Sequence, residues 1–325
     1  MQPTVDDRVE CVRRAVRLER PRRMPCSDWV MLEYRPDVYH LGEGEPRPDL
    51  GEVGRTRNGK RQVTRDGGVW ATDAREKYKD HNDVLNVDLD RFEVEPVAGP
   101  MLSAMARLMK ERGATAYSLP LHYGTLISRA TIEFGWEPFL MALALEPDRF
   151  GKILDRFGDA SLAVAQGWAR TDGVELIVIH DDIAATRGLL IRPEFCRQYV
   201  FPWYGRIFAA IHEAGRKVLY ISDGNYRDAL DDLLALKPDG LYIESSSMDP
   251  EPFMRQAGRD KLFLIKTNSQ IIDVGTPEEI RAELRRLRDL HQEFPGMMIY
   301  RGGGNPSAEN AKAFQCGYEE FLVYR

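Results

Sequence analysis

Short apolar runs alternate with longer amphipathic stretches from about residue 98 to the end of the sequence. A short apolar run between turns is typical of a buried strand, whereas apolar positions three and four apart indicate a helix. On this basis strands are predicted within 24–31 and at 115–121, 175–179, 217–221, 240–244, 262–266 and 297–300. Helices are predicted from Thr4 or Asp6 to about Leu18 and at 99–112, 125–145, 147–170, 193–214, 226–236, 250–257, 277–292 and 306–320.

The order of these elements predicts the fold class. Apolar strands separated by helices are typical of a parallel sheet that is covered on both faces. Seven strands can be identified, and we expect the eighth within 36–75. The first strand is not followed by a GxGxxG motif, which argues against a dinucleotide-binding fold. We therefore predict an α/β protein in which residues 1–325 form a single (β/α)8 TIM barrel domain.

Residues 36–67 differ from the rest of the chain, because they are rich in proline, glycine and charge. The Asn58-Gly59 pair predicts a hairpin turn, with short strands at 62–64 and 69–71. We interpret this part of the sequence, near 36–95, as an inserted hairpin or lid. A solvated loop without a function is the alternative.

Composition excludes several partners. The chain has 45 Lys and Arg against 51 Asp and Glu, a net charge of −6, so nucleic acid is not expected as a partner. It contains no apolar run of about 18 residues, so no membrane association is predicted. The charged N-terminus lacks the apolar core of a secretion signal, and the four cysteines form no CxxC motif. These features predict a cytoplasmic protein.

Active sites of such barrels lie at the carboxyl ends of the strands, so catalytic residues are expected there. His180, Asp181 and Asp182 leave a buried strand together, and two adjacent acids would repel each other without a partner. Arg187, a metal or a substrate could be that partner. Lys266 ends an apolar strand, where it could extend to the mouth, pair with Glu244 or bind a substrate carboxylate. Polar residues also follow strands simply because loops are solvated.

The candidate site residues form two groups. The predicted catalytic residues are His122, His180, Asp181, Asp182 and Tyr220. The predicted substrate-binding residues are Asp28, Trp29, Arg187, Ser222, Asp223, Asn225, Glu244, Lys266, Asn268 and Arg301.

Two segments resemble the uroporphyrinogen decarboxylase superfamily. The first is DRVECVRRAVRLERPRRMPCSDW near the N-terminus, and the second is residues 180–244, whose most specific parts are DD-x(4)-RG-x(2)-I-x-PE and SDGN. The similarity covers roughly 5–35 and 95–325. It implies a (β/α)8 barrel, a homodimer, and one of two chemistries. These are decarboxylation of uroporphyrinogen without a cofactor, and methyl transfer to or from a corrinoid protein, often with zinc.

The sequence departs from both motifs that define these chemistries. The decarboxylases carry an arginine-rich motif close to MRQAGR at the first strand, where this chain has 31–35 and Arg35 as its one arginine. The same six letters at 254–259 lie in a late helix, and we treat them as accidental. The zinc methyltransferases carry His-x-Cys where this chain has Tyr220-Ile221-Ser222, so a thiolate zinc site is not expected. A metal held by His180, Asp181, Asp182 or Glu244 stays open.

The resemblance therefore favours a corrinoid-dependent methyltransferase of the demethylase type. One partner in the transfer would be a small methylated compound, such as a methyl ether, or a folate. The other would be a corrinoid on a separate protein, and this chain would have no covalently bound cofactor. His180, His122 or Tyr220 would protonate the leaving oxygen. Asp223, Asn225 and Lys266 would orient the substrate. The alternatives are a decarboxylase of tetrapyrrole metabolism and a catalytically silent barrel that binds a ligand.

Overall fold

The computed structural model describes residues 5–27, 38–42, 60–63, 69–72, 77–92, 116–303 and 305–324. Its centre is a closed barrel of eight parallel strands in sequential order, in which the first strand pairs with both the second and the last. The strands are β1 Cys26–Ser27, β2 Val38–Gly42, β3 Tyr117–Tyr123, β4 Leu176–His180, β5 Lys217–Ile221, β6 Gly240–Glu244, β7 Leu262–Lys266 and β8 Met297–Tyr300. The predicted (β/α)8 barrel is confirmed. The single domain over 1–325 stays a prediction.

Helices surround the barrel and begin at the expected signals. Thr276 and Glu279 form a capping box at the start of the helix Pro277–Glu293. In the described part of the chain, no helix is both long and apolar enough to cross a bilayer. The helices are Val5–Val16, His81–Leu85, Ile127–Phe134, Trp136–Leu145, Pro147–Ala169, Pro193–Phe195, Phe201–Glu213, Leu230–Ala235, Pro250–Ala257, Ser269–Val274, Pro277–Glu293 and Ala308–Gly317.

The helix Val5–Val16 closes the amino-terminal end of the barrel. Val12, Ala15 and Val16 are buried against the apolar side chains that fill the barrel interior. The Lys217 ammonium group at the start of β5 donates a hydrogen bond to the Val16 carbonyl, 2.8 Å away. Polar groups of the interior can therefore collect at the opposite end, where the strands finish.

The region before β3 differs from the prediction in two ways. Val38–Gly42 is the second barrel strand, so residues 36–67 are not wholly an insertion. The strands Lys60–Val63 and Val69–Thr72 pair antiparallel, as expected for a hairpin, but Asn58-Gly59 precedes both of them. The predicted turn residues and the residues that join the two strands lie outside the described residues. The predicted helix at 99–112 lies wholly outside the described residues.

His291 on the helix Pro277–Glu293 makes stability sensitive to acid. It is 1% exposed, and burial lowers the pKa of its imidazole from 6.5 to about 4. Between these values the unfolded chain binds a proton that the folded chain does not, so stability falls as the pH falls. We expect a loss of about 3 kcal/mol between pH 7 and pH 4 from this group.

Urea unfolding of the wild type and His291→Gln at pH 7, 5.5 and 4.5 measures this effect. The difference in unfolding free energy between the two proteins should shrink as the pH falls. An unchanged difference would show that the His291 side chain is not the responsible group.

Candidate active site at the barrel mouth

Alternation along the strands decides which candidate side chains face the barrel interior. Leu176 and Val178 of β4 belong to the apolar cluster inside the barrel, whereas Ile179 packs in the cluster between strands and helices. Since successive side chains of a strand point to opposite faces, His180 faces the interior and Asp181 faces the helices.

The same alternation collects polar side chains at the mouth of the barrel. Glu244 and Lys266 are register partners at the ends of β6 and β7, two residues beyond interior apolar positions. The residues that continue the interior faces at this end are Tyr123, His180, Asp182, Asp223, Tyr242, Glu244, Lys266 and Tyr300.

His180 and Asp182 form a charged pair. The His180 Nε2 atom lies 3.0 Å from Asp182 Oδ1, and the same oxygen accepts the Asp223 N–H at 2.8 Å. Burial opposes the charge on His180, but Asp182 and then Asp223 outweigh it, so its pKa is raised. Burial likewise opposes ionisation of Asp182, but the imidazole outweighs it and lowers the pKa of this carboxyl. The surroundings of the pair therefore favour an imidazolium beside a carboxylate.

Asp223 extends this pair across the mouth. Its Oδ1 accepts a hydrogen bond from the Tyr242 hydroxyl at 3.1 Å. Burial raises the pKa of Asp223, against the opposing effect of His180, and the Asp182 carboxylate raises it further. The next residue, Gly224, has φ of +80°, and an added Cβ would lie 2.6 Å from the Ala185 carbonyl carbon. Only glycine fits there, so the turn that presents Asp223 is fixed.

Lys266 forms an ion pair with Glu244, as one of the interpretations of its position at the end of an apolar strand predicted. The Nζ atom lies 2.8 Å from Glu244 Oε1, and both side chains are largely buried. The other carboxylate oxygen accepts the Gly224 N–H at 2.9 Å and the Ser247 hydroxyl at 3.0 Å. Burial opposes the charge on Lys266, but Asp223 and Glu244 outweigh it and raise its pKa. The lysine is therefore cationic.

Asp181 has a different environment from Asp182. It is fully buried, and its carboxylate accepts the Ile127 and Ser128 N–H groups at 2.9 and 2.8 Å and the Tyr204 hydroxyl at 2.6 Å. These contacts cap the helix Ile127–Phe134 from outside, at its positive end. The two adjacent acids thus have separate partners, and Asp181 does not reach the mouth.

Two other predicted catalytic residues face the helices. His122 is fully buried and pairs in register with Ile179, whose side chain lies on the helix side of the barrel. The Tyr220 hydroxyl donates to the Asp181 carbonyl at 3.2 Å. The structure therefore separates His122, Asp181 and Tyr220 from the interior group, because they occupy the alternate strand positions.

The remaining predicted binding residues have mostly structural contacts. Ser222 Oγ accepts the Ile183 N–H at 3.1 Å, and Asn225 Oδ1 accepts the Arg227 N–H at 3.2 Å. Asn268 caps the helix Ser269–Val274.

The last four predicted binding residues are Arg187, Arg301, Asp28 and Trp29. Arg187 is exposed in the turn of a small hairpin formed by Ala184–Ala185 and Gly188–Leu189. Arg301 is buried, and its backbone N–H donates to the Ser27 carbonyl at 3.3 Å. Asp28 and Trp29 lie outside the described residues.

Neither Tyr242 nor Ser128 is among the site residues predicted from the sequence. Tyr242 precedes Glu244 by two positions on β6, so alternation alone places both on the interior face. Ser128 accepts the Asp182 N–H at 2.7 Å from a separate helix, a contact that no local pattern indicates.

Three of the interior side chains carry atoms that could bind a metal ion. One donor atom each from His180, Asp182 and Asp223 lies within 4.8 Å of the others. Asp182 Oδ1 already accepts hydrogen bonds from both His180 and the Asp223 N–H, an arrangement that fits a shared proton. Just beyond β5 the side chain is the Ser222 hydroxyl, which accepts the Ile183 N–H at 3.1 Å, so that position offers no thiolate to a zinc ion.

Comparison with known proteins places this geometry in a family. The family model for uroporphyrinogen decarboxylase (URO-D) matches residues 125–302, which is more than half of the chain. None of the curated proteins compared is significantly similar in sequence.

A solved methyltransferase structure shares the fold at low sequence identity. A methyltransferase from Methanosarcina mazei is 18% identical, with a TM-score of 0.56 over 72% of this chain and 69% of the other. A B12-independent methionine synthase from Shewanella sp. W3-18-1, in complex with selenomethionine, is 13% identical, with a TM-score of 0.47 over 70% and 67%. The matched region contains β4 to β8 and the polar cluster at their ends, and on this evidence the chain belongs to the uroporphyrinogen decarboxylase (URO-D) family.

Proposed function

We propose that this protein is a methyltransferase that takes a methyl group from a small methylated compound, with methyl ethers as the leading class and methylated folate as the other candidate. The acceptor is a corrinoid carried by a separate protein. The observation that carries this proposal is the His180–Asp182 pair on the interior face of the barrel mouth, with 3.0 Å between nitrogen and oxygen.

Ether demethylation needs an acid, because an alkoxide is a poor leaving group. The carbon–oxygen bond breaks with its electron pair on oxygen, the methyl group passes to the nucleophilic cobalt(I), and the oxygen takes a proton. His180 supplies this proton, and Asp182 holds the imidazole in its charged form and orients it. Of the three proton donors considered from the sequence, His180 alone faces the interior, since His122 and Tyr220 lie on the helix side.

The remaining interior residues bind and orient the substrate. Asp223 and Glu244 accept hydrogen bonds from substrate hydroxyl groups, while Lys266 is held by Glu244 and limits the negative charge. The Tyr123 ring is 43% exposed and packs edge-on against His180, with 4.6 Å between ring centroids. It offers an apolar surface beside the acid.

The family also contains decarboxylases, so decarboxylation is the second candidate. The described interior of the mouth holds the carboxylates of Asp182, Asp223 and Glu244 against the cations His180 and Lys266. Such an excess of negative charge opposes a substrate with many carboxylates, which needs cationic clamps.

The test is incubation of the protein with cob(I)alamin and, in separate reactions, an aryl methyl ether, a methylated amine and methyl-folate. We expect the spectrum of methylcobalamin with the ether, and no product without protein. Absence of transfer from every donor, together with carbon dioxide release from uroporphyrinogen, would replace this proposal by decarboxylation. Absence of both, with a raised melting temperature on adding a tetrapyrrole or corrinoid, would indicate a silent binding barrel.

A further inference from the structure

We infer that Ser128 and Asp181 are positioning residues, which hold the backbone of the His180–Asp182 pair against the start of the helix Ile127–Phe134. The inference rests on the proposed function, since it assigns these residues a role in keeping the proton donor in place. Neither residue touches the barrel interior, and both act through the two residues that do.

Ser128 makes two hydrogen bonds with the segment 181–182, one as a donor and one as an acceptor. Its backbone N–H donates to Asp181 Oδ1 at 2.8 Å, and its hydroxyl oxygen accepts the Asp182 N–H at 2.7 Å. The side chain is buried, so these contacts are shielded from water. This reciprocal arrangement resembles a capping box, except that the capping residues come from a distant strand end.

A second group of contacts fixes the preceding residue. The His180 carbonyl accepts hydrogen bonds from the Gly124 N–H at 3.1 Å, the Thr125 N–H at 3.2 Å and the Thr125 hydroxyl at 3.1 Å. The backbone of 180–182 is therefore held on the helix side by the segment 124–128, while the His180 and Asp182 side chains face the interior.

Buried contacts of this kind restrict where the Asp182 carboxylate lies relative to the imidazole. Burial opposes ionisation of Asp182, and the groups that lower its pKa are His180, then the Asp223 N–H and the Ser128 hydroxyl. The charged groups that raise the pKa of His180 are Asp182 and Asp223 at the mouth and, from the helix side, Asp181. Loss of the Ser128 hydroxyl removes a partner of Asp182 and weakens the contact that keeps His180 protonated.

The experiment is an NMR titration of the His180 imidazole in the full-length protein, with the signal assigned by its absence in His180→Gln. We expect Ser128→Ala to lower the pKa of His180 by about half a unit or more. Ser128→Thr keeps a hydroxyl and should restore the wild-type value. In the methyl transfer assay, Ser128→Ala should lower kcat about tenfold and leave KM within about twofold.

Thr131→Val is the matched control. Its hydroxyl is buried in the same helix and donates to the Ile127 carbonyl at 2.7 Å, away from 180–182. This variant should lose comparable stability and leave the pKa of His180 unchanged. Asp181→Asn is the second variant, and it should shift the His180 signal in the same direction as Ser128→Ala, because it weakens the three capping hydrogen bonds and also removes a negative charge that raises the pKa of His180.

An unchanged pKa in Ser128→Ala, or an equal shift in Thr131→Val, would overturn the inference. If the shifts follow the prediction and the wild type transfers no methyl group, the positioning role stands and the proposed reaction is wrong.

Discussion

His180→Gln is expected to lower the rate of methyl transfer from an ether by about two to four orders of magnitude, the usual contribution of a general acid. Glutamine keeps a polar side chain of similar size, but its amide group does not act as an acid at neutral pH. The substrate-binding carboxylates Asp223 and Glu244 remain, so KM should change little. Steady-state formation of methylcobalamin from an aryl methyl ether measures both constants.

The chain provides a matched control for this substitution. His212 and Asp239 form another histidine–aspartate pair, with 2.8 Å between Nε2 and Oδ2, on the outside of the barrel. His212→Gln should retain full activity. A His180→Gln protein that keeps more than about a tenth of the wild-type rate would exclude His180 as the proton donor.

Lys266→Met is expected to destabilise the protein by about 3 kcal/mol, because it leaves the Glu244 carboxylate buried without its cation. The lysine and glutamate side chains are 19% and 15% exposed, so solvent screens the pair only weakly. Replacing both partners, in Lys266→Met with Glu244→Leu, should recover part of this loss, since the Glu244 charge is removed while Asp223 still lacks the lysine and the Gly224 N–H and Ser247 hydroxyl lose their acceptor. Urea unfolding with one m-value across the series measures the differences.

Arg255→Met is the control for an exposed ion pair. Its guanidinium is half exposed and contacts Glu251 at 3.1 Å and Glu293 at 2.7 Å, and ion pairs at the surface contribute little to stability. We expect no measurable change for this variant. If Lys266→Met is as stable as the wild type, or if the double variant is no more stable than the single one, the buried pair does not make the predicted contribution.

The barrel could be predicted because its strands are unusually clear in the sequence. Apolar runs such as LFLIK and KVLYI are buried on both faces, so they differ from loops and from amphipathic helices. β2 was not identified because VYHLG lies in a charged, glycine-rich segment that obscures it. Its position was predicted only as somewhere within 36–75.

The site was harder to predict, because closeness to a strand end does not say which face a residue occupies. The sequence analysis grouped His122, Asp181 and Tyr220 with His180 and Asp182, although a shift of one position along a strand reverses the face. A strand end that is predicted to within one or two residues does not determine whether a given side chain faces the barrel interior or the helices. Contacts such as Asp182 with Ser128, 54 positions apart, depend on how the helix docks and have no local signal.

The most direct test of the account is the pH dependence of single-turnover methyl transfer from an ether. Since Asp182 and Asp223 raise the pKa of His180, the rate constant should be constant below that pKa and fall about tenfold per pH unit above it, with the break at a higher pH than for a free imidazole. His180→Gln should show no such decline. A wild-type rate constant that is independent of pH, or a decline that is the same in His180→Gln, would contradict a protonated His180 as the acid at the barrel mouth.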